Sequence, residues 1–290
     1  MNHKKTLSFY LFFLLCLPTF LAGYDYNLAI CCIFKDNSSY LKEWIGFHRM
    51  VGVEHFYLYD NGSTDRPEEV LEPYIKNNIV TIIPWPNQRE YQWNNLAYAW
   101  VKTTQLTAYS HACNHVEGKV KWLALIDTDE FIVPVQDDSI SSFLNKHQDV
   151  GGISVRWQVY GTSGVYDVAP NELMIELLML KCHPGHYLNT RPKLIVRPES
   201  PRYFLSPHEC IYKKKKRDYS ASIEEIRINH YMNRTEKFFY EQKVKAKETM
   251  DNMKLPGELV QELLQTGNDV EDRIMDRFIP ALRERMGFKL

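Results

Sequence analysis

The sequence predicts an α/β fold, with a mostly parallel central sheet flanked by helices and a helical C-terminus. Three observations carry this. Short continuous apolar runs alternate, through the first 135 residues, with segments whose apolar side chains recur at helical spacing. That is the pattern of buried strands joined by helical crossovers. Clusters of Asp, Asn and Ser directly follow three of those runs, at the carboxyl ends where open parallel sheets place their ligands. After Gly151 the texture changes to short strand-like pieces separated by Gly and Pro, and then to charged helical sequence.

In chain order, Leu28 to Phe34 reads as a strand buried on both faces. Asn37 or Ser38 can cap the helix that follows, which carries Leu41, Trp44, Ile45 and His48 on one side and ends near Gly52. His55 to Tyr59 is a second strand, running into the turn-forming stretch Asp60-Asn61-Gly62-Ser63-Thr64-Asp65. Pro67 starts a helix striped with Val70, Leu71, Tyr74 and Ile75. Ile79 to Ile83 is a third strand, ended by the Pro84-Trp85-Pro86 bend. Gln92 to about His111 is expected to form one longer helix. Trp122 to Ile126 is a fourth buried strand that leads straight into Asp127-Thr128-Asp129-Glu130. Further strands are expected at Ile153 to Tyr160, Lys193 to Val196 and Ile226 to Asn229. Helices follow from Arg234 onward, broken at Pro256-Gly257.

A chain of 290 residues suits one large domain. At 44% hydrophobic and 24% charged it can build a full core, and a net charge of -1 gives no basis for a nucleic-acid partner. At the N-terminus, Lys4 and Lys5 precede an apolar run from Leu7 to Leu21, broken by Pro18 and followed by Ala22-Gly23. Residues 1–23 therefore read as a signal peptide or short signal-anchor. The run is shorter than the roughly 20 residues of a spanning helix. It implies export to a secretory pathway or bacterial envelope, with membrane association through residues 7–21. None of the six cysteines has C-x-x-C spacing, which argues against a zinc site. Cys182 and Cys210 are available to pair in an oxidising compartment. Lys213 to Arg217 reads as the solvated tip of a hairpin.

The chemistry is concentrated at the strand ends. Hard cations such as Mn²⁺ or Mg²⁺ take carboxylate oxygens and keep positions open for phosphate and water. Two carboxylates at i and i+2 just past a buried strand can approach one ion, and Asp127 and Asp129 fit. Short acidic turns are common, so placement directly after Trp122-Leu123-Ala124-Leu125-Ile126 is what lends the pair weight. As a crowd of like charges, the turn is expected to gain stability if one is removed. In the second loop Asp60, Asn61 and Ser63 are candidates to hold a nucleotide: a carboxylate there can accept the N3–H of uracil, and Gly62 lets backbone approach closely. Arg234 and Lys243 are nine residues apart on a predicted helix, which puts them on different sides at about 3.6 residues per turn. Arg234 is the choice for phosphate.

Taken together, several stretches resemble glycosyltransferase family 92, a group with the GT-A fold. They are Ile33-Phe34-Lys35-Asp36-Asn37, Tyr40-Leu41-Lys42-Glu43-Trp44, Tyr59 to Asp65, Trp122 to Phe131, Tyr160-Gly161-Thr162-Ser163-Gly164, Lys193 to Pro198, Pro207-His208 and Asn229-His230-Tyr231. The resemblance spans roughly Tyr26 to Lys247. It implies a GT-A-like single domain over 26–252, with a nucleotide half over 26–135 and an acceptor half over 136–252, then a helical extension over 253–290. It implies an inverting transferase that moves a hexose, often galactose, from a UDP-sugar to a glycan or other hydroxyl acceptor, using Mn²⁺. Lys35 and Asp36 would then face the nucleotide, and His230 would join Asp127 and Asp129 on the metal, with His208 as its competitor. Glu176, on the apolar stretch Leu173 to Leu180, matches a family Glu and is the candidate base; Asp167 and Glu172 stay open. Two departures stand out: Lys35-Asp36-Asn37 replaces the family's Lys-Asn-Glu, and Arg234-Thr235 its Lys-Ser. Arg keeps the charge and can grip phosphate bidentately.

Two other readings compete. A sugar-nucleotide nucleotidyltransferase usually has a Gly-rich phosphate loop after its first strand, and Lys35-Asp36-Asn37-Ser38-Ser39 has no glycine. A secreted carbohydrate-binding protein would leave the acidic strand ends without a purpose. The sequons at Asn37, Asn61 and Asn233 all fall in candidate donor-site segments, where a glycan would block the site.

Overall fold

One mixed sheet organises the molecule, seen in a computed structural model that describes residues 23–86, 91–94, 99–102, 104–214, 216–245, 247–248 and 253–288. Its strands are β1 (Tyr26–Phe34), β2 (His55–Asp60), β3 (Val80–Pro84), β6 (Val120–Leu125), β7 (Glu130–Pro134), β8 (Gly152–Val159), β10 (Pro192–Val196), β13 (Asp218–Ser220) and β14 (Ile226–His230). Outside it lie the pairs β4 (Tyr91–Asn94) with β5 (Ala99–Lys102), β11 (Pro201–Ser206) with β12 (Glu209–Tyr212), and β9 (Leu180–Lys181) with β15 (Val270–Glu271). The main order is β3-β2-β1-β6-β10-β8-β14-β7, with β13 against β8. The first four strands are parallel, β10 enters antiparallel between β6 and β8, and β14 lies parallel to β8 and antiparallel to β7. This is the α/β architecture expected from the sequence.

The helices that make the parallel crossovers are α1 (Ser38–Met50), α2 (Pro67–Lys76) and α3 (Thr104–Val116). β1 shows why its run is apolar throughout. Leu28, Ile30, Cys32 and Phe34 pack with Trp44, Ile45 and Phe47 of α1 on one face. Ala29 and Cys31 pack with Tyr109, Ala112 and Cys113 of α3 on the other, as the two-residue period of a strand requires.

The single helix expected from Gln92 to His111 does not form. β4 and β5 pair antiparallel, with Trp93 opposite Trp100, and the helix begins only at Thr104 and runs on to Val116. Aromatic and β-branched residues such as Tyr91, Trp93, Trp100 and Val101 suit a pleated pair better than a helix. The buried helical stripe starts at Leu106 and continues through Tyr109, Cys113 and Val116.

Residues beyond 253 include the helices Gly257–Gln265 and Ile279–Met286, but they also supply β15 and part of the core. Leu282 is fully buried and lies against Gly46 of α1. Gly161 donates its N–H to Gly267 O at 2.9 Å, so close that a Cβ at 161 would lie 2.7 Å from the Gly267 carbonyl carbon. Asp272 receives Arg227 Nη2 of β14 at 2.8 Å and also pairs with Lys181.

The described cysteines are all free. Cys182 belongs to the core on the α1 side and Cys210 packs against the α3 side, so the pairing left open by the sequence is not made. The apolar run Leu7 to Leu21 lies outside the described residues. Among the described residues no helix is long and apolar enough to cross a membrane.

Candidate active site

The carboxyl ends of β1, β2 and β6 lie side by side, and hydrogen bonds knit their loops together. After β1, Asp36 Oδ1 accepts from Thr64 N at 2.6 Å and Thr64 Oγ1 at 3.0 Å, while its own N–H donates to Ser63 Oγ at 3.0 Å. Asp65 Oδ2 accepts from Ser38 N at 2.7 Å, and Asp60 Oδ1 closes the second loop on Ser63 N at 2.9 Å. Gly62 takes a φ of +77° there, with open space beside it, a conformation that glycine adopts without steric cost. Asn37 Oδ1 then accepts from Thr128 Oγ1 at 3.1 Å, and Thr128 Oγ1 in turn accepts from Arg234 Nη2 at 2.8 Å.

Helix α1 fixes the far side of the acidic turn. Trp44 Nε1 donates to Glu130 O at 2.8 Å. His48 Nδ1 lies 2.9 Å from Trp44 O and its Nε2 lies 3.1 Å from Ile132 N, so the ring is neutral, donating from Nδ1 and accepting at Nε2. Burial pushes its pKa down to about 3, in keeping with that state.

Of the three expected metal ligands, the structure brings two together. His230 Nε2 lies 3.6 Å from Asp129 Oδ2, and His230 Nδ1 is buried without a hydrogen-bond partner. Two atoms bound to one Mg²⁺ at about 2.1 Å are at most about 4.2 Å apart, so this pair fits a shared small divalent ion. Asp127 is drawn elsewhere. Its Oδ2 accepts from Lys193 Nζ at 2.8 Å and its Oδ1 from Gln105 Nε2 at 2.7 Å. Among the described residues no three His, Cys, Asp or Glu side chains converge as a ready-made cation cage. His208 Nδ1 bonds Pro192 O at 2.8 Å, and its ring meets Trp157 edge-on at 5.0 Å, the same indole that His230 packs against at 4.2 Å.

The charge around Asp129 is the reverse of a like-charge crowd. Burial alone would raise its pKa, but His230, Arg234 and Lys243 outweigh that and hold the carboxyl well below the usual carboxylate range. At Asp129 these cations oppose the expected relief of repulsion on removing a charge, while the like-charge repulsion acts at buried Glu130, whose pKa burial, Asp127 and Asp129 push up. Arg234 and Lys243, expected on different sides of one helix, both act electrostatically on Asp129. Arg234 precedes the helix, in a left-handed turn with φ 49°. Lys243 sits in the π-helix Phe239–Val244, whose wider turn changes the phase assumed for an α-helix. Arg234 is 1% exposed, stacked 3.9 Å over the Tyr40 ring, with Nε and Nη1 lacking partners.

Lys35, Asn61, Gln105 and Asp127 line a cavity of about 320 Å³ beside the turn, with Ile33, Phe34 and Thr104. Asn61 Oδ1 is a buried acceptor without a partner. Glu176 lies apart from Asp129 and His230 in its bonding: its Oε2 is held by Arg283 Nη1 of the C-terminal helix at 2.8 Å.

Sequence reasoning passed over Gln105, Thr128 and Lys193 as site residues, and set Lys243 aside in favour of Arg234. For Lys193 a signal was present: a lysine opening the apolar strand Leu194-Ile195-Val196 must be paired if buried, and it is 1% exposed.

A model of glycosyltransferase family 92 matches residues 25–278. A family 92 protein of Ricinus communis is 28% identical over 181 residues, covering 60% of this chain and 29% of the relative. A galactan beta-1,4-galactosyltransferase of Arabidopsis thaliana is 26% identical over 150 residues, covering 50% of this chain and 27% of the relative. The chain thus spans less than a third of the length of either. Residues 1–349 of S. aureus TarS superpose with a TM-score of 0.42 at 13% identity, covering 82% of this chain and 69% of that one. The chain belongs to glycosyltransferase family 92.

Proposed function

We propose that the protein is an inverting, Mn²⁺- or Mg²⁺-dependent glycosyltransferase that moves a hexose from a UDP-sugar to a hydroxyl of a glycan. Galactose is the sugar that the family resemblance and the galactosyltransferase relative favour. The observation that carries the reading is the Asp129–His230 pair at 3.6 Å, set at the joined ends of three parallel strands and flanked by Arg234 and Lys243. A diphosphate leaving group gains negative charge as the sugar departs, and such an arrangement answers it.

Each residue has a place in this reading. Asp129 and His230 hold the cation, which when bound offsets charge on the diphosphate. Lys243 and Arg234 add fixed positive charge on the same side. Lys35, Asp36, Asp60, Asn61, Ser63 and Asp127 frame the nucleotide, with the unpartnered Asn61 Oδ1 as an acceptor for a base N–H. Glu176 is the proposed base: it takes the acceptor hydroxyl's proton as that oxygen bonds to the anomeric carbon and the nucleotide diphosphate leaves. The apolar segment at residues 7–21 is proposed to bring the chain to a membrane or out of the cytosol.

The test is a hydrolysis and transfer screen over UDP-sugars with and without EDTA, read alongside melting. Ligand that binds only the folded state stabilises it by about 2.7 kcal/mol at a hundred times its Kd. UDP with Mn²⁺ should raise Tm, and EDTA should abolish turnover. No Tm shift and no EDTA-sensitive turnover with any UDP-sugar would sink the proposal.

A further inference from the structure

Lys193 is among the most deeply buried charges in the molecule, and its bonding is specific. Its Nζ donates to Asp127 Oδ2 at 2.8 Å and Tyr109 OH at 3.3 Å, and lies 3.5 Å from Glu130 Oε2. These contacts match the three hydrogens of an ammonium group. Burial would lower its pKa, but Asp127 and Glu130 raise it well above the ordinary value, so it is a fixed cation. Gln105, itself bonded to Tyr109 OH at 2.9 Å, takes the other oxygen of Asp127 at 2.7 Å. Both carboxylate oxygens of Asp127 are thus engaged by the protein, while Asp129 faces His230.

We propose that Lys193 and Gln105 withdraw Asp127 from the cation, so that the protein offers only Asp129 and His230 and the ion binds firmly only when a nucleoside diphosphate supplies further oxygens. The inference rests on the metal-dependent reading above and deepens it. Lys193 is a positioning residue: it acts through Asp127 and does not touch the ion. Its effect is to weaken binding of the bare ion and so to couple metal to nucleotide. An unrestrained Asp127 would complete a three-ligand site that holds metal without donor. Groups that orient or engage metal ligands typically change metal affinity by about 10–100-fold, which sets the size of effect to look for.

The experiment measures Mn²⁺ affinity of the whole chain by electron paramagnetic resonance, with no nucleotide and with UDP. Lys193→Met alone would leave two acidic side chains without their counter-ion. It is therefore paired with Glu130→Gln, whose amide oxygen can still accept from Asp127 N, as Glu130 Oε2 now does at 2.9 Å. The formal charge of the three side chains is then the same before and after. The wild type should bind Mn²⁺ weakly alone and more tightly with UDP. The double variant should bind bare Mn²⁺ at least tenfold more tightly than the wild type and gain less from UDP, and Lys193→Arg should stay near the wild type. A structural fault would weaken the site, so a gain in affinity is a readout that damage cannot mimic. If the double variant does not fold, Lys193→Gln with Glu130→Gln, which keeps an amide beside Asp127, takes its place with the same expectation. Bare-ion affinity unchanged or lower, in a protein whose wild type binds Mn²⁺ with UDP, overturns the inference alone. No Mn²⁺ binding by the wild type even with UDP removes the functional reading and the inference with it.

Discussion

Replacing Asp129 by Asn tests the centre of the site, because size is kept and one negative charge is removed. Its side chain is 17% exposed and 3.6 Å from His230, with Arg234 and Lys243 adding positive charge. Losing the anion leaves Arg234, at 1% exposure, without the negative charge that acts on it most strongly. Exposed ion pairs are worth about 0.2–1 kcal/mol, and breaking a buried pair costs about 3–5 kcal/mol. A half-buried site falls between, at about 1–3 kcal/mol. At about 2–4 °C per kcal/mol for a domain near this size, Tm should fall by roughly 2–12 °C. Turnover should fall much further, by about 10²–10³-fold, as removal of one group that stabilises developing charge does. Asp129 is depressed in the fold, so its stabilising share is present at neutral pH and is lost only under strongly acidic conditions, as pH falls through the folded value. The assay is UDP release from UDP-galactose with and without Mn²⁺, paired with melting at pH 7. Mn²⁺-dependent turnover within tenfold of the wild type would place the metal elsewhere. A rise in Tm would refute the charge argument.

Lys243→Met should raise the donor KM about tenfold with Tm nearly unchanged, since the side chain is exposed; Arg234→Met should lower Tm as well as activity, because it strips a buried guanidinium from Thr128 and Tyr40. Steady-state kinetics with melting separates the two. His48 is held neutral with its pKa near 3, against 6.5 for a free imidazole, so the unfolded chain takes up the proton first and stability is lost as pH falls from about 6.5 toward 3. His48→Gln should reduce the stability lost between pH 7 and pH 4 by on the order of 3 kcal/mol, measured by urea unfolding at both values; an equal loss in both proteins refutes it. Asp272→Asn should lower Tm by several degrees while leaving the donor KM of the folded protein unchanged, because Asp272 joins Arg227 and Lys181 away from the acidic turn.

How much of this could be read in the sequence depends on how local the cause was. The parallel strands and their polar ends were legible because burial on both faces forces unbroken apolar runs, and β1 and β6 are such runs. The β4–β5 hairpin was not, because a stretch such as Tyr91 to Lys102 carries both aromatic pairing signals and enough apolar residues to suggest a helix. Asp129 and His230 were legible as candidates through motif and resemblance. The fate of Asp127 was not, since it is decided by Lys193, 66 residues away, and by Gln105 on a helix whose start was misplaced.

The rim residues show why the site can hold its shape before any ligand arrives. Asp36 and Arg234 both adopt left-handed backbone, with φ of 51° and 49°, a conformation that costs of order 1–3 kcal/mol for such residues. Each is held by neighbours. Asp36 makes three hydrogen bonds to Ser63 and Thr64, and Arg234 is stacked on Tyr40 and bonded to Thr128. A net hydrogen bond contributes about 0.5–1.5 kcal/mol, more when one partner is charged, so these contacts offset the strain. The two strained residues are joined through Thr128 and Asn37. A change at Thr128 therefore loosens both the loop after β1 and the buried arginine. Thr128→Val keeps the shape and removes the hydroxyl. By this reasoning it should raise the donor KM and lower Tm together, and a change in only one of the two would show that the loops are not coupled through this residue.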